Sequence, residues 1–119
     1  GSVMGSYHYL SPEACNGAEI DARTDIWSFG VMLYEMLTGH APFHGDNPGT
    51  IITQILQKPM PDPTKYRDDI PAALVSLLYR MLDKDRDQRI PSMRQVGADL
   101  DMHAQRAHAR SRPRVVERS

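Results

Sequence analysis

The run Asp25-Ile26-Trp27-Ser28-Phe29-Gly30-Val31-Met32-Leu33-Tyr34-Glu35-Met36-Leu37 limits what this chain can fold into more than any other stretch. Thr24 or Asp21 can cap its start, and Gly39 stands where a left-handed stop residue belongs, so the run reads as one helix. Its apolar residues go all the way round, broken only by Ser28, Gly30 and Glu35. A helix apolar on every side is expected to be covered on every side. At roughly 1.5 Å per residue it is about 20 Å long, shorter than the ~20-residue apolar span a bilayer requires. The expectation is a buried central helix in a soluble, mainly α-helical domain.

The rest of the chain supplies helices to pack around it. Residues 1–20 mix Gly, Ser, Pro and aromatics without a steady period and read as loop, with a helical turn allowed from Ser11 because Pro12 suits a first helical position. Asn47-Pro48 opens a helix whose inward face is Ile51, Ile52, Ile55 and Leu56. Lys58-Pro59-Met60-Pro61-Asp62-Pro63 ends it as an extended linker. Pro71 begins a helix striped by Leu74, Leu77, Leu78, Met81 and Leu82. Ser92-Met93-Arg94-Gln95 has the form of a capping box for a last helix with Met93, Val96, Leu100 and Met102 facing inward. Four helices behind an irregular entry segment are therefore expected.

Charge divides the chain unevenly. Residues 103–119 hold five arginines and one glutamate, while the body before them is mildly acidic, leaving a formal net charge of −1. The tail is expected to be a basic, disordered linker, and neither nucleic acid nor membrane is an expected partner. The single cysteine, Cys15, has no partner for a disulfide within the chain, and no secretory leader is evident, which together suggest the cytoplasm. His40 and His44 flank a proline in a turn-rich stretch and make a poor metal pair.

Four motifs, in order and at matching spacing, carry a resemblance. Gly5-Ser6-Tyr7-His8-Tyr9-Leu10-Ser11-Pro12-Glu13 resembles the Gly-Thr-x-x-Tyr-x-Ala/Ser-Pro-Glu that ends the activation segment of eukaryotic-type protein kinases. Asp25-Ile26-Trp27-Ser28-Phe29-Gly30 resembles the Asp-x-Trp-Ser-x-Gly of their buried central helix. Gly39-His40-Ala41-Pro42-Phe43 resembles the Gly-x-x-Pro-Phe that follows, and Arg89 matches a late arginine. The chain is thus similar to the helical C-terminal lobe of the protein kinase fold over residues 1–102. The turn after the central helix and the Leu74–Asp85 run point to bacterial Ser/Thr members.

The resemblance implies roles. Glu13 and Arg89 would form a buried ion pair. Asp25 would accept hydrogen bonds from a catalytic loop, while its bland role is to complement the helix dipole. Trp27 and Gly30 would support the core. Ser6, Tyr9 and Leu10 would line the floor on which a protein substrate docks, and a Ser or Thr at position 6 favours Ser/Thr substrates.

A complete domain of this family uses ATP and Mg²⁺ through a Gly-rich loop, a strand lysine, a catalytic-loop aspartate and an Asp-Phe-Gly aspartate. None of these motifs occurs here, so no catalytic group and no bound cofactor or metal is expected of the chain alone. The expected partners are protein substrates and the absent N-terminal half of the domain. The alternative is a non-catalytic interaction module or pseudokinase-like scaffold, with a binding groove near residues 47–56.

Overall fold

The structure, a computed structural model, describes residues 7–111, with side chains through 102 and at 104 and 105. Among the described residues there are five α-helices and no strands: α1 (Pro12–Cys15), α2 (Ala22–Thr38), α3 (Pro48–Gln57), α4 (Ala72–Met81) and α5 (Met93–Ser111). One 3₁₀ turn, Pro63–Lys65, lies between α3 and α4.

Local chemistry accounts for most of the boundaries. Ser11 caps α1 by accepting the Ala14 amide at 3.2 Å, and Pro12 takes the first helical position. Asp21, not Thr24, caps α2, accepting the Arg23 amide at 2.9 Å, so the helix begins at Ala22 rather than Asp25. It stops at Gly39, whose φ of 76° is open to glycine at little cost and whose N–H donates to the Glu35 carbonyl at 2.8 Å.

Asn47 caps α3 by accepting the Thr50 amide at 2.9 Å. The linker from Lys58 is extended as far as Asp62, which caps the 3₁₀ turn begun by the buried Pro63. Ser92 accepts the Gln95 amide at 3.1 Å, but the return half of the box is not made, because the Gln95 amide group donates to Asp99 instead. Helix α5 continues to Ser111, into the stretch expected as tail, and residues 112–119 lie outside the described residues.

Helix α2 is shared by two clusters of buried side chains. Trp27, Val31 and Tyr34 face Phe43, Ile51, Ile55, Met60, Leu78 and Leu82. Ile26 faces the other way, onto Leu77, Met81, Ile90 and Val96. Helix α4 packs on α2 and α5 on α4, while α1 lies against α3.

Two expectations about burial are corrected as well. Helix α2 is not covered all round: Met32 is 48% and Met36 73% exposed, with Phe29 and Leu33 half-buried beside them. Its apolar circumference is wider than the helices packed on it. Along α5, Val96 is buried and Leu100 half-buried, but Met93 and Met102 are exposed. Only one stripe of α5 meets α4, and those two methionines fall off it.

At Gly30, α2 lies tight against the end of α4. A methyl group there would lie 3.0 Å from both Met81 Cβ and Leu82 Cδ2. The Cβ of Met81 is fixed to its helix and cannot swing aside, so Gly30→Ala has to push the helices apart. The expected loss is about 1–3 kcal/mol, read as a lower urea midpoint; a gain in midpoint from the better helix propensity of alanine would show that the contact yields.

Candidate functional site

Glu13 is set in the first turn of α1, and that short helix turns its carboxylate inward. Glu13 is 7% and Arg89 3% exposed. The two meet in a forked pair: Arg89 Nη1 donates to Glu13 Oε2 at 2.8 Å and Nη2 to Oε1 at 2.9 Å. The remaining groups of the cluster are also engaged. Thr24 donates its hydroxyl to Glu13 Oε2 at 2.9 Å, Arg89 Nε donates to the Asp83 carbonyl at 3.0 Å, and Nη1 also donates to the Arg23 carbonyl at 2.7 Å. One guanidinium therefore joins α1, the start of α2 and the turn after α4. Planar delocalised charge suits this, because Arg89 also lies over the Trp27 ring, 5.2 Å from its centroid.

Burial by itself raises the Glu13 carboxyl. The Arg89 hydrogen bonds, the backbone amide of Glu13 and the Thr24 hydroxyl outweigh it and hold the pKa at about 2, against an ordinary 4.5. A carboxyl whose folded pKa is depressed adds stability above its unfolded pKa and loses it as pH falls through the folded one. Stability is accordingly expected to fall as pH drops from 4.5 towards 2. Glu13→Gln should flatten that part of a pH series of urea midpoints; an unchanged acid limb would assign it to other carboxylates.

The segment before α1 is pinned across the central helix. Ser28 donates its hydroxyl to the Tyr9 carbonyl at 3.2 Å, and the Tyr9 hydroxyl donates to Glu35 Oε2 at 3.2 Å. Burial and the neighbouring Glu35 both raise the Tyr9 phenol. Leu10 and Tyr7 pack on the Trp27 cluster. Ser28 and Glu35 stand two turns apart on one face of α2. The three interruptions of the apolar run thus each have a use: Ser28 and Glu35 hold Tyr9, and Gly30 admits α4.

The structure brings Glu13 and Arg89 together across 76 residues and lays Tyr9 and Leu10 on α2 next to them. Trp27 is fully buried and stacks on Phe43, ring centroids 5.6 Å apart. Asp25 is exposed in the first turn of α2, where a negative charge suits the helix dipole. Ser6 lies outside the described residues. Sequence reasoning gave no site role to Ser28, Glu35 or Lys84, and offered Thr24 only as a helix cap. The polar breaks in the α2 run are the signal for Ser28 and Glu35, which the sequence alone shows only as interruptions of an apolar circumference.

A sequence profile of the protein kinase domain matches residues 1–99 of this chain. The chain belongs to the protein kinase family. It is 40% identical over 100 residues to a probable serine/threonine-protein kinase of Clostridium perfringens, covering 84% of this chain and 15% of that protein. To serine/threonine-protein kinase PknB of Mycolicibacterium smegmatis it is 34% identical over 115 residues, 97% of this chain and 18% of that one. PknB of Mycobacterium tuberculosis is 37% identical over 100 residues, 83% of this chain and 16% of its own length. The chain therefore spans less than a fifth of these kinases. Its helices are those of a protein kinase C-terminal lobe, with the Glu13–Arg89 pair tying the entry segment to the turn before α5.

Proposed function

We propose that this chain is part of a Ser/Thr protein kinase that transfers the γ-phosphate of ATP to protein hydroxyls. In this reading residues Ser6, Tyr9 and Leu10 form the floor on which the substrate docks. Glu13, Arg89, Asp25, Trp27 and Gly30 keep that floor and the central helix rigid, and Asp25 would also hold the backbone of a catalytic loop. The observation that carries the reading is the segment 7–10, fastened at both ends of Tyr9 to α2 and followed at once by the Glu13–Arg89 clamp. Such a segment is ordered before a substrate arrives, which lowers the entropy cost of docking an extended peptide.

Protein kinases use ATP and Mg²⁺, but the residues present here do not fit either. The sequence holds neither the Asp-Phe-Gly aspartate nor the catalytic-loop His-Arg-Asp stretch with its asparagine, the groups that hold Mg²⁺ in a complete kinase domain. The sequence offers no Gly-rich loop for the phosphates. No chemical step is assigned to this chain; phosphoryl transfer belongs to the whole domain, with the N-terminal half as partner. No helix among the described residues is long and apolar enough to cross a membrane, and the cytoplasm is the location proposed.

The second reading is a non-catalytic module that binds a partner through the groove near residues 47–56; the exposed apolar Met32 and Met36 count against it, since a free-standing module is expected to carry polar residues on that face. Two experiments test these readings, and the second separates them. The purified chain, given radiolabelled ATP, Mg²⁺ and a serine-containing protein, is expected to transfer no phosphate. Replacing the matching segment of the Clostridium perfringens kinase with this chain is expected to leave an active chimaera. In it Tyr9→Ala raises the KM for a peptide about tenfold and changes kcat little. An inactive but folded chimaera would favour the second reading, and transfer by the chain alone that Ser6→Ala abolishes would overturn the absence of catalysis.

A further inference from the structure

We infer that Lys84 is the positioning residue for helix α3, reaching across the fold to give the Ile55 carbonyl the hydrogen-bond donor that Pro59 withholds. In an α-helix each carbonyl accepts from the amide four residues on. For Ile55 that residue is Pro59, which has no N–H. Proline also biases the residue before it towards extended backbone, and Lys58 is extended at φ −94° and ψ 130° with its own N–H spent on the Gln54 carbonyl. Ile55 is 0% exposed, backbone included, so its carbonyl is out of reach of bulk water. A buried carbonyl left unpaired is costly, and here the Lys84 ammonium donates to it.

The lysine is held in place for this task. Its Nζ lies 4.3 Å from the Phe43 ring centroid and 5.5 Å from that of Trp27, so two aromatic faces favour its charge along the approach to α3. Burial pushes its pKa down to about 8, with Cys15 on α1 pulling the other way, as befits an amine kept from water. The hydrogen bond does not depend on that charge, since a neutral amine keeps N–H groups to donate. Lys84 sits in the turn whose Asp83 carbonyl and Arg89 make the Glu13 clamp. The turn after α4 thus anchors both the entry segment, through Arg89, and the end of α3, through Lys84. Helix α3 in turn carries the face that packs on α1. The inference stands whether or not the chain takes part in phosphoryl transfer.

Amide hydrogen exchange of the 119-residue chain, followed residue by residue by NMR, tests it. In Lys84→Met, whose side chain can occupy the same ring faces, the amides of Ile55, Leu56, Gln57 and Lys58 are expected to lose about tenfold in protection relative to Leu78, Met81 and Leu82 of the α4 region. Lys84→Arg, which keeps a donor, is expected to retain most of it. Unchanged α3 protection in Lys84→Met, or equal losses in α3 and α4, would overturn the assignment. The unaltered chain gives a second reading that does not depend on a variant folding. Of the three lysines, Lys84 should show side-chain amine protons exchanging with water about tenfold more slowly than those of Lys58 and Lys65. Equal rates for all three would also overturn it.

Discussion

Arg89→Met lowers the unfolding free energy by about 3–5 kcal/mol, the usual cost of stranding one half of a buried ion pair. The guanidinium makes two hydrogen bonds to Glu13 and one each to the Asp83 and Arg23 carbonyls. Without it a carboxylate that is 7% exposed keeps only the Thr24 hydroxyl and its own backbone amide. The Glu13 pKa is then expected to rise, because the interactions with Arg89 that opposed desolvation are gone. Urea denaturation at neutral pH measures the loss. Adding Glu13→Gln to Arg89→Met should recover part of it, since the stranded charge is removed. A loss under about 1 kcal/mol would mean the pair behaves as a surface salt bridge does, which its burial argues against.

The second large effect is at Trp27. Trp27→Ala is expected to cost about 3–5 kcal/mol, as large aromatic-to-alanine changes in cores do. The ring is fully buried, stacks on Phe43 with an interplanar angle of 11°, and presents faces to Arg89 and Lys84. Its removal therefore disturbs the core, the ion-pair junction and the lysine that reaches α3 together. Trp27→Phe should cost distinctly less. The indole N–H of Trp27 is buried without a hydrogen-bond partner among the described residues, so phenylalanine gives up area but no hydrogen bond. Thermal or urea unfolding of the two variants settles the comparison. Equal losses would show that the indole N–H has a partner, such as a bound water, that phenylalanine cannot serve.

Much of this architecture was legible along the chain because its signals are local. Asp21 and Gly39 bracket α2, Asn47-Pro48 starts α3, Pro59 ends it and Ser92 starts α5, each through hydrogen bonds within a few residues. The family, too, could be recognised from four short motifs. Periodicity failed where it had to say which apolar residues would find a neighbour. Met32, Met36, Met93 and Met102 read as inward-facing or covered, yet all four are exposed, because a helix pattern records what could be buried and not what is present to bury it.

The site divides in the same way. Residue types alone put a carboxylate at Glu13, a hydroxyl at Ser28 and a helix-ending proline at Pro59. That Glu13 closes on Arg89, that Ser28 and Glu35 take opposite ends of Tyr9, and that Lys84 serves a carbonyl 29 residues away are facts of packing. Such partners are chosen when helices dock and polar groups lose their water, because each buried donor and acceptor must then find whichever complement lies within about 3 Å. The sequence by itself determined the order of the helices, most of their ends and the family; only the tertiary structure decided which charges and hydroxyls meet, since desolvation acts on what is near in space.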